Sequence, residues 1–194
     1  MNFMEIFFIR HGKTEYNEQC KVMGHIDAPL SESGQLEAEK LAEKLKNEKF
    51  DVIFCSPLLR AKQTARAVNE YQRCPIFFDK RLIERDCGKL SGITYAELDE
   101  LKPNWSWVIG DNRCEQLNVE TVEDMMKRVQ DFANYVNEEW SDSKVLVVAH
   151  SGIASVFHAL QDNLKKGDDI LNIHIPNAKL LHFNVQSTDQ ATRE

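Results

Sequence analysis

KVLVVAHSG, residues 144–152, joins an apolar run to a polar triplet. Lys144 to Ala149 is too short for an ordinary helix and is rich in valine, so it reads as a strand buried on both faces, with a helical pattern resuming near Ser151. MEIFFIRHG, residues 4–12, repeats the arrangement near the start: Met4 to Ile9 is a buried strand, and Arg10-His11-Gly12 follows it at once. Asp51 to Cys55 is another buried strand, ending in Ser56-Pro57-Leu58-Leu59-Arg60. Ile76 to Phe78 and Lys179 to Val185 are further short strands. Helical periodicity fills the intervals. Ala38, Leu41, Ala42 and Leu45 form one stripe behind a Ser31 cap, and Ala61, Thr64, Ala65 and Val68 form a second, with Pro57 suited to the first helical turn. Val122, Met125, Met126, Val129, Phe132, Ala133, Val136 and Trp140 form the longest, behind a Thr121 cap with Asp124 three residues on.

Strands alternating with helices predict an α/β domain with a mostly parallel central sheet covered on both faces. The interval Asp99 to Glu120, with Pro103, Trp105, Trp107 and Gly110, breaks the rhythm and reads as an inserted lid. Residues 1–186 are expected to make a single domain of this kind, and 187–194 a polar tail that frays. The 194 residues, 42% hydrophobic and 28% charged, suit one core. A formal net charge of −7 argues against nucleic acid as a partner, since phosphate-backbone binders carry basic stripes. The five cysteines show no C-x-x-C spacing and read as reduced thiols. The N-terminus has neither the pattern of a signal peptide nor that of a membrane span. A cytoplasmic protein with no membrane partner is expected.

The polar residues gather where open parallel sheets form their crevice, at the carboxyl ends of strands. Two histidines, His11 and His150, and two arginines, Arg10 and Arg60, converging there make a site for an anion, because guanidinium forks onto phosphate or carboxylate oxygens. Helix N-termini after Ser56 and His150 are expected to add backbone donors. One histidine after a strand is ordinarily a hydrogen-bonded structural residue; two, with two arginines at equivalent positions, are harder to dismiss. A metal site on His11 and His150 is disfavoured by the lack of H-E-x-x-H, C-x-x-C or a carboxylate cluster beside them. No G-x-x-x-x-G-K-[ST] occurs. Cys55 precedes Arg60 by one residue too few for a C-x5-R loop and reads as a core thiol.

Arg10-His11-Gly12 with Thr14 and Asn17 resembles the R-H-G-x-T-x-x-N signature of the histidine phosphatase superfamily, the phosphoglycerate mutase-like proteins. Further blocks follow in that family's order: Gly24, Asp27, Pro29-Leu30 and Gly34; Ser56-Pro57-Leu58-Leu59-Arg60-Ala61 with Thr64-Ala65; Leu82, Glu84 and Gly88; Ala149-His150-Ser151-Gly152. The resemblance spans Glu5 to about Phe183. The chain departs from it at Cys87 to Gly92, which lacks an aromatic-Glu pair, and at Val119-Glu120-Thr121, where Gly-Glu-Ser is common.

The resemblance implies a three-layer α/β/α fold and a phosphomonoester hydrolase acting on small phosphorylated metabolites through a phosphohistidine on His11. Arg10, Arg60 and a protonated His150 would clamp the phosphoryl oxygens. Asn17 would hydrogen-bond them, with Gly24 and Ser151 as further substrate-binding positions, and Glu84 would be the proton donor. Without the resemblance, Glu84 reads as a surface glutamate. No metal or cofactor is required. A phosphoglycerate mutase uses the same groups and is the alternative; a non-catalytic relative that binds a phosphorylated ligand or a partner is a third reading, which intact His11, Glu84 and His150 oppose. Glu97 to Asp124 carries eight acidic and two basic residues, a stretch that would repel a polyphosphorylated substrate.

Overall fold

The computed structural model describes residues 3–100, 112–164, 170 and 175–186. The strands are β1 (Phe3–Arg10), β2 (Val52–Cys55), β3 (Ile76–Phe78), β4 (Val145–Ala149) and β5 (Leu180–Gln186). The helices are α1 (Glu15–Glu18), α2 (Glu32–Lys44), α3 (Leu59–Gln72), α4 (Tyr95–Glu100), α5 (Asn112–Leu117), α6 (Val122–Glu139) and α7 (Ser151–Gln161). The five strands form one sheet in the order β3-β2-β4-β1-β5, parallel except for β5, which runs antiparallel to β1 at the edge.

The runs that read as doubly buried strands are apolar throughout because the sheet has a helical layer on each face. Alternate residues of β4 go opposite ways: Val145, Val147 and Ala149 join Ile6, Phe8 and Phe54 against Met125, Val129 and Phe132 of α6 and Ile153 and Phe157 of α7. Leu146 and Val148 join Ile9, Ile53 and Cys55 against Leu41 and Ala42 of α2 and Ala61, Ala65 and Val68 of α3. This is the α/β/α arrangement expected. Burying one such side chain stabilises the fold by about 1.5–3 kcal/mol, so each layer is held chiefly by its apolar stripe.

The caps at Ser31 and Thr121 form as the sequence indicates, Ser31 accepting from the Gly34 N–H and Thr121 from the Asp124 N–H. Asp124 does not complete a capping box; its carboxylate accepts the Thr121 hydroxyl at 2.6 Å. Pro57 falls ahead of the helix, not within its first turn: the cap is Leu58, with φ −73° and ψ 143°. Leu58 has no side-chain acceptor, so the exposed N–H groups are met from elsewhere. Ser56 Oγ accepts from the Leu58 N–H at 3.3 Å and Asp27 Oδ1 from the Leu59 N–H at 2.5 Å. Two of the N–H groups at the start of α3 are therefore spent on protein acceptors.

Within the lid interval, α4 and α5 flank residues 101–111, which lie outside the described residues together with Trp105, Trp107 and the tail 187–194. None of the five cysteines is paired in a disulfide. Among the described residues no helix is long and apolar enough to cross a membrane.

Candidate active site

Three neighbouring parallel strands end side by side, and each delivers its next residue to the same place. Cys55 of β2 is in register with Val148 of β4, and Arg10 of β1 with Ala149. The ladder runs one step further, the Ser56 N–H donating to the Val148 carbonyl and the His11 N–H to the Ala149 carbonyl, both at 3.0 Å. Ser56, His150 and His11 thus stand in a row, with the two imidazole centroids 5.1 Å apart. All three are buried.

The His11 ring is fixed as one tautomer. Its Nδ1 lies 2.7 Å from the Gly12 carbonyl, an acceptor only, so Nδ1 carries the proton and Nε2 the lone pair. Arg60 Nε donates to that Nε2 at 3.3 Å. Burial, Arg60 and Arg10 hold the His11 pKa well below its usual 6.5, so the ring is neutral at pH 7 and nucleophilic at Nε2. Around it, the Gly12 N–H donates to Thr64 Oγ1 at 3.1 Å and Asn177 Nδ2 to the His11 carbonyl at 2.8 Å.

Arg60 is fully buried at the start of α3, the largest such side chain among the described residues, while Arg66 on the same helix is exposed. Its Nη1 donates to the Ile26 carbonyl at 2.7 Å and its Nη2 to the Gly24 carbonyl at 2.9 Å. Gly24 supplies that carbonyl from a left-handed backbone, φ +52°, where a Cβ would come within 2.9 Å of the Cys87 nitrogen. Gly24 therefore serves the site through Arg60. Arg10, at the end of β1, donates from Nη1 to the Ile175 carbonyl, and its Nε is buried without a partner among the described residues. Desolvation lowers the pKa values of both arginines, Arg60 to about 10, and the Glu84 carboxylate works against that in each. Both remain charged at neutral pH. Their cationic field beside the two imidazoles makes this a poor site for a metal ion and a good one for an anion.

Burial, then Arg60, His11, Arg10 and Arg128, hold the His150 pKa well below 6.5 and favour the neutral ring. Ser56 Oγ lies 2.7 Å from His150 Nε2, and either group can donate in that bond. The ring's Nδ1 is buried and has no partner among the described residues. A buried polar nitrogen without a partner costs about 1–3 kcal/mol, which an anion placed beside His11 would recover once Nδ1 carries a proton.

Glu84 comes from a different direction, the loop after β3. Its carboxylate meets the start of α7, Oε2 accepting from the Gly152 N–H at 3.4 Å, while Oε1 accepts from the Arg85 N–H at 3.0 Å. Asn17 closes a capping box on α1: its Oδ1 takes the Thr14 N–H and hydroxyl, both at 3.1 Å, which leaves its amide NH2 as a donor with no partner among the described residues. Ser151 is the first residue of α7 and half-buried.

Every residue singled out as catalytic in the sequence is thus engaged at one end of the sheet or on the loop beside it. Asn177, Thr64, His25, Glu120 and Arg128 were not singled out as site residues. Only two of them carried a signal: Thr64 and Glu120 fall in blocks of the family pattern, while Asn177 stands in a turn before β5 with no recognisable motif around it.

Comparison with known proteins agrees with this geometry. The profile of the histidine phosphatase superfamily (branch 1) matches residues 6–193. The chain is 34% identical over 189 residues to the uncharacterized phosphatase PhoE of Bacillus subtilis, covering 97% of this chain and 91% of that protein. It is 32% identical over 155 residues to the probable phosphoglycerate mutase GpmB of Proteus mirabilis, covering 78% and 71%. Among solved structures, a mycobacterial glucosyl-3-phosphoglycerate phosphatase in complex with VO3 superimposes with a TM-score of 0.81 at 25% identity, over 92% of this chain and 90% of that one. Strand-end histidines flanked by arginines, a fold that superimposes closely on a solved phosphatase and a match across nearly the whole sequence lead to one conclusion: this chain belongs to the histidine phosphatase superfamily, branch 1.

Proposed function

We propose that this protein hydrolyses small phosphomonoesters through a phosphohistidine formed on Nε2 of His11. The observation that carries the reading is the pairing of a neutral His11, its lone pair set on Nε2 by the Gly12 carbonyl, with the buried Nδ1 of His150, which has no partner among the described residues. A nucleophile and a group that can donate to phosphoryl oxygens stand together.

In the first step the His11 Nε2 lone pair attacks phosphorus, the N–P bond forms and the P–O bond to the alcohol breaks. Glu84, entering protonated, gives its proton to the departing alkoxide. In the second step the Glu84 carboxylate takes a proton from water, the water oxygen bonds to phosphorus, and the N–P bond breaks to release inorganic phosphate. Arg10, Arg60, His150 and the Asn17 amide act on the equatorial oxygens, and loss of one such donor is worth about 10²–10³ in kcat. A phosphate dianion beside His150 draws its pKa upward, so the cationic form belongs to the bound state. The active-site chemistry asks for no metal or cofactor, and the five free thiols fit a reducing, cytoplasmic setting.

A panel of phosphomonoesters tests the reading, with phosphate release measured for the native chain and for His11→Ala. Turnover of several monoesters, abolished in the variant, is expected. The same panel includes 3-phosphoglycerate with and without bisphosphoglycerate. The acidic stretch from Glu97 to Asp124 disfavours multiply anionic substrates, so slow isomerisation relative to hydrolysis of the best monoester is expected. Robust, bisphosphoglycerate-dependent interconversion of the phosphoglycerates would assign the mutase activity instead.

A further inference from the structure

The loop that carries Glu84 is held by a polar brace from α6. Arg128 forks onto Glu120, Nε to Oε1 at 2.6 Å and Nη2 to Oε2 at 2.9 Å, with both side chains mostly buried. The outer edges of the same guanidinium reach the loop backbone: Nη1 donates to the Arg81 carbonyl at 2.6 Å and Nη2 to the carbonyl of Glu84 itself at 3.3 Å. Glu120 grips the other side of Glu84. Its carbonyl accepts from Arg85 Nε at 2.7 Å, its Oε2 from the Asp86 N–H at 3.2 Å, and its N–H donates to the Asp86 carbonyl at 2.9 Å. His25 Nε2, 2.7 Å from the Glu84 carbonyl, makes a second contact to that oxygen from the opposite wall, next to the carbonyls of Gly24 and Ile26 that hold Arg60.

Leu82, completely buried beside Met125 and Val129, already anchors this loop to α6 by packing. A second set of five hydrogen bonds converging on residues 81, 84, 85 and 86 is therefore more than attachment requires. It fixes the backbone from which the Glu84 carboxyl is presented to the start of α7. Proton transfer to a leaving alkoxide is sensitive to displacements of well under an ångström, so a rigid mount has a direct kinetic consequence.

We propose that Arg128, oriented by Glu120, is a positioning residue for proton transfer at Glu84. The proposal rests on Glu84 being the acid and base of the reaction, and its signature differs from that of a residue needed only for folding. Nitrophenolate leaves without help, whereas an alkoxide needs the proton. Loss of positioning therefore penalises alkyl phosphates selectively, while a loss of folded protein lowers both equally.

The experiment measures kcat/KM for 4-nitrophenyl phosphate and glycerol phosphate, the inhibition constant of inorganic phosphate, and Tm. The proteins are the native chain, Glu84→Gln, Arg128→Ala, Arg128→Lys, Glu120→Gln and the double variant Glu84→Gln/Arg128→Ala. Glu84→Gln is expected to lose about 10²-fold or more on glycerol phosphate and far less on the nitrophenyl ester. Arg128→Ala should lose about tenfold or more on glycerol phosphate alone, equivalent to about 1.4 kcal/mol, with phosphate inhibition within a few-fold of native. Arg128→Lys, which keeps the charge but loses the fork, and Glu120→Gln should fall between native and Arg128→Ala; they read the effect even if the alanine variant does not fold. The double variant should be no worse than Glu84→Gln. If Glu84→Gln itself shows no leaving-group selectivity, the assignment of Glu84 fails. If Glu84→Gln is selective while the Arg128 and Glu120 variants lower both substrates equally, or neither, the positioning proposal is overturned.

Discussion

Burying two neutral histidines beside two arginines has a thermodynamic consequence that can be measured without substrate. In the unfolded chain His11 and His150 titrate near about 6.5, whereas in the folded protein burial and Arg60 keep both well below that value. Below pH 6.5 the unfolded state therefore binds more protons than the native state, and stability falls as pH falls. The contribution is fully present above the unfolded pKa and is lost as the pH drops from there toward the folded values. Between pH 7.5 and 5.5 each histidine that stays neutral in the fold removes about 1.4 kcal/mol, and the pair about 2.7 kcal/mol. That is a large fraction of the roughly 5–15 kcal/mol that holds a typical domain together. Urea unfolding at the two pH values, for the native chain and for His11→Asn/His150→Asn, isolates the effect, because every other ionisable group is common to both proteins. The native chain should lose about 2.7 kcal/mol more than the variant across this interval. Equal pH dependence in the two proteins would refute the claim that these rings are neutral in the fold.

Two further substitutions follow from distances in the site. A Cβ on residue 152 would sit 2.5 Å from Glu84 Oε1, so Gly152→Ala should leave Tm nearly unchanged, since only the tip of a side chain must move, yet lower kcat/KM for alkyl phosphates by up to about 10²-fold. Ser56→Ala removes the hydroxyl that holds the His150 ring at Nε2; kcat/KM should fall by about tenfold on all monoesters alike, the worth of roughly one hydrogen bond, in contrast to the leaving-group selectivity expected at Gly152.

The layers of this fold were legible because the strands are apolar on both faces and the helices on one, a pattern that survives any choice of loops. The strand ends were legible for the same reason: His11, Arg10 and His150 lie within two residues of unmistakable apolar runs. Glu84 lay beyond such reasoning, since it stands on a loop after a three-residue strand and reaches the site only because Leu82, Arg128 and Glu120 tether that loop to α6. It was found through the family pattern. Pro57 was misplaced because the acceptor that starts α3 comes from Asp27, 32 residues away, which no local rule registers. The pKa of His150 was not legible, because it depends on burial and on the arginines around it, quantities that exist only after folding.

Rapid quenching with a radiolabelled phosphomonoester, followed by mapping of the labelled residue, tests the account most directly. A phosphoenzyme labile in acid and stable in base, carried on Nε2 of His11 and absent from His11→Ala, is the predicted result. Label on a serine, cysteine or carboxylate, or undiminished turnover in His11→Ala, would contradict it.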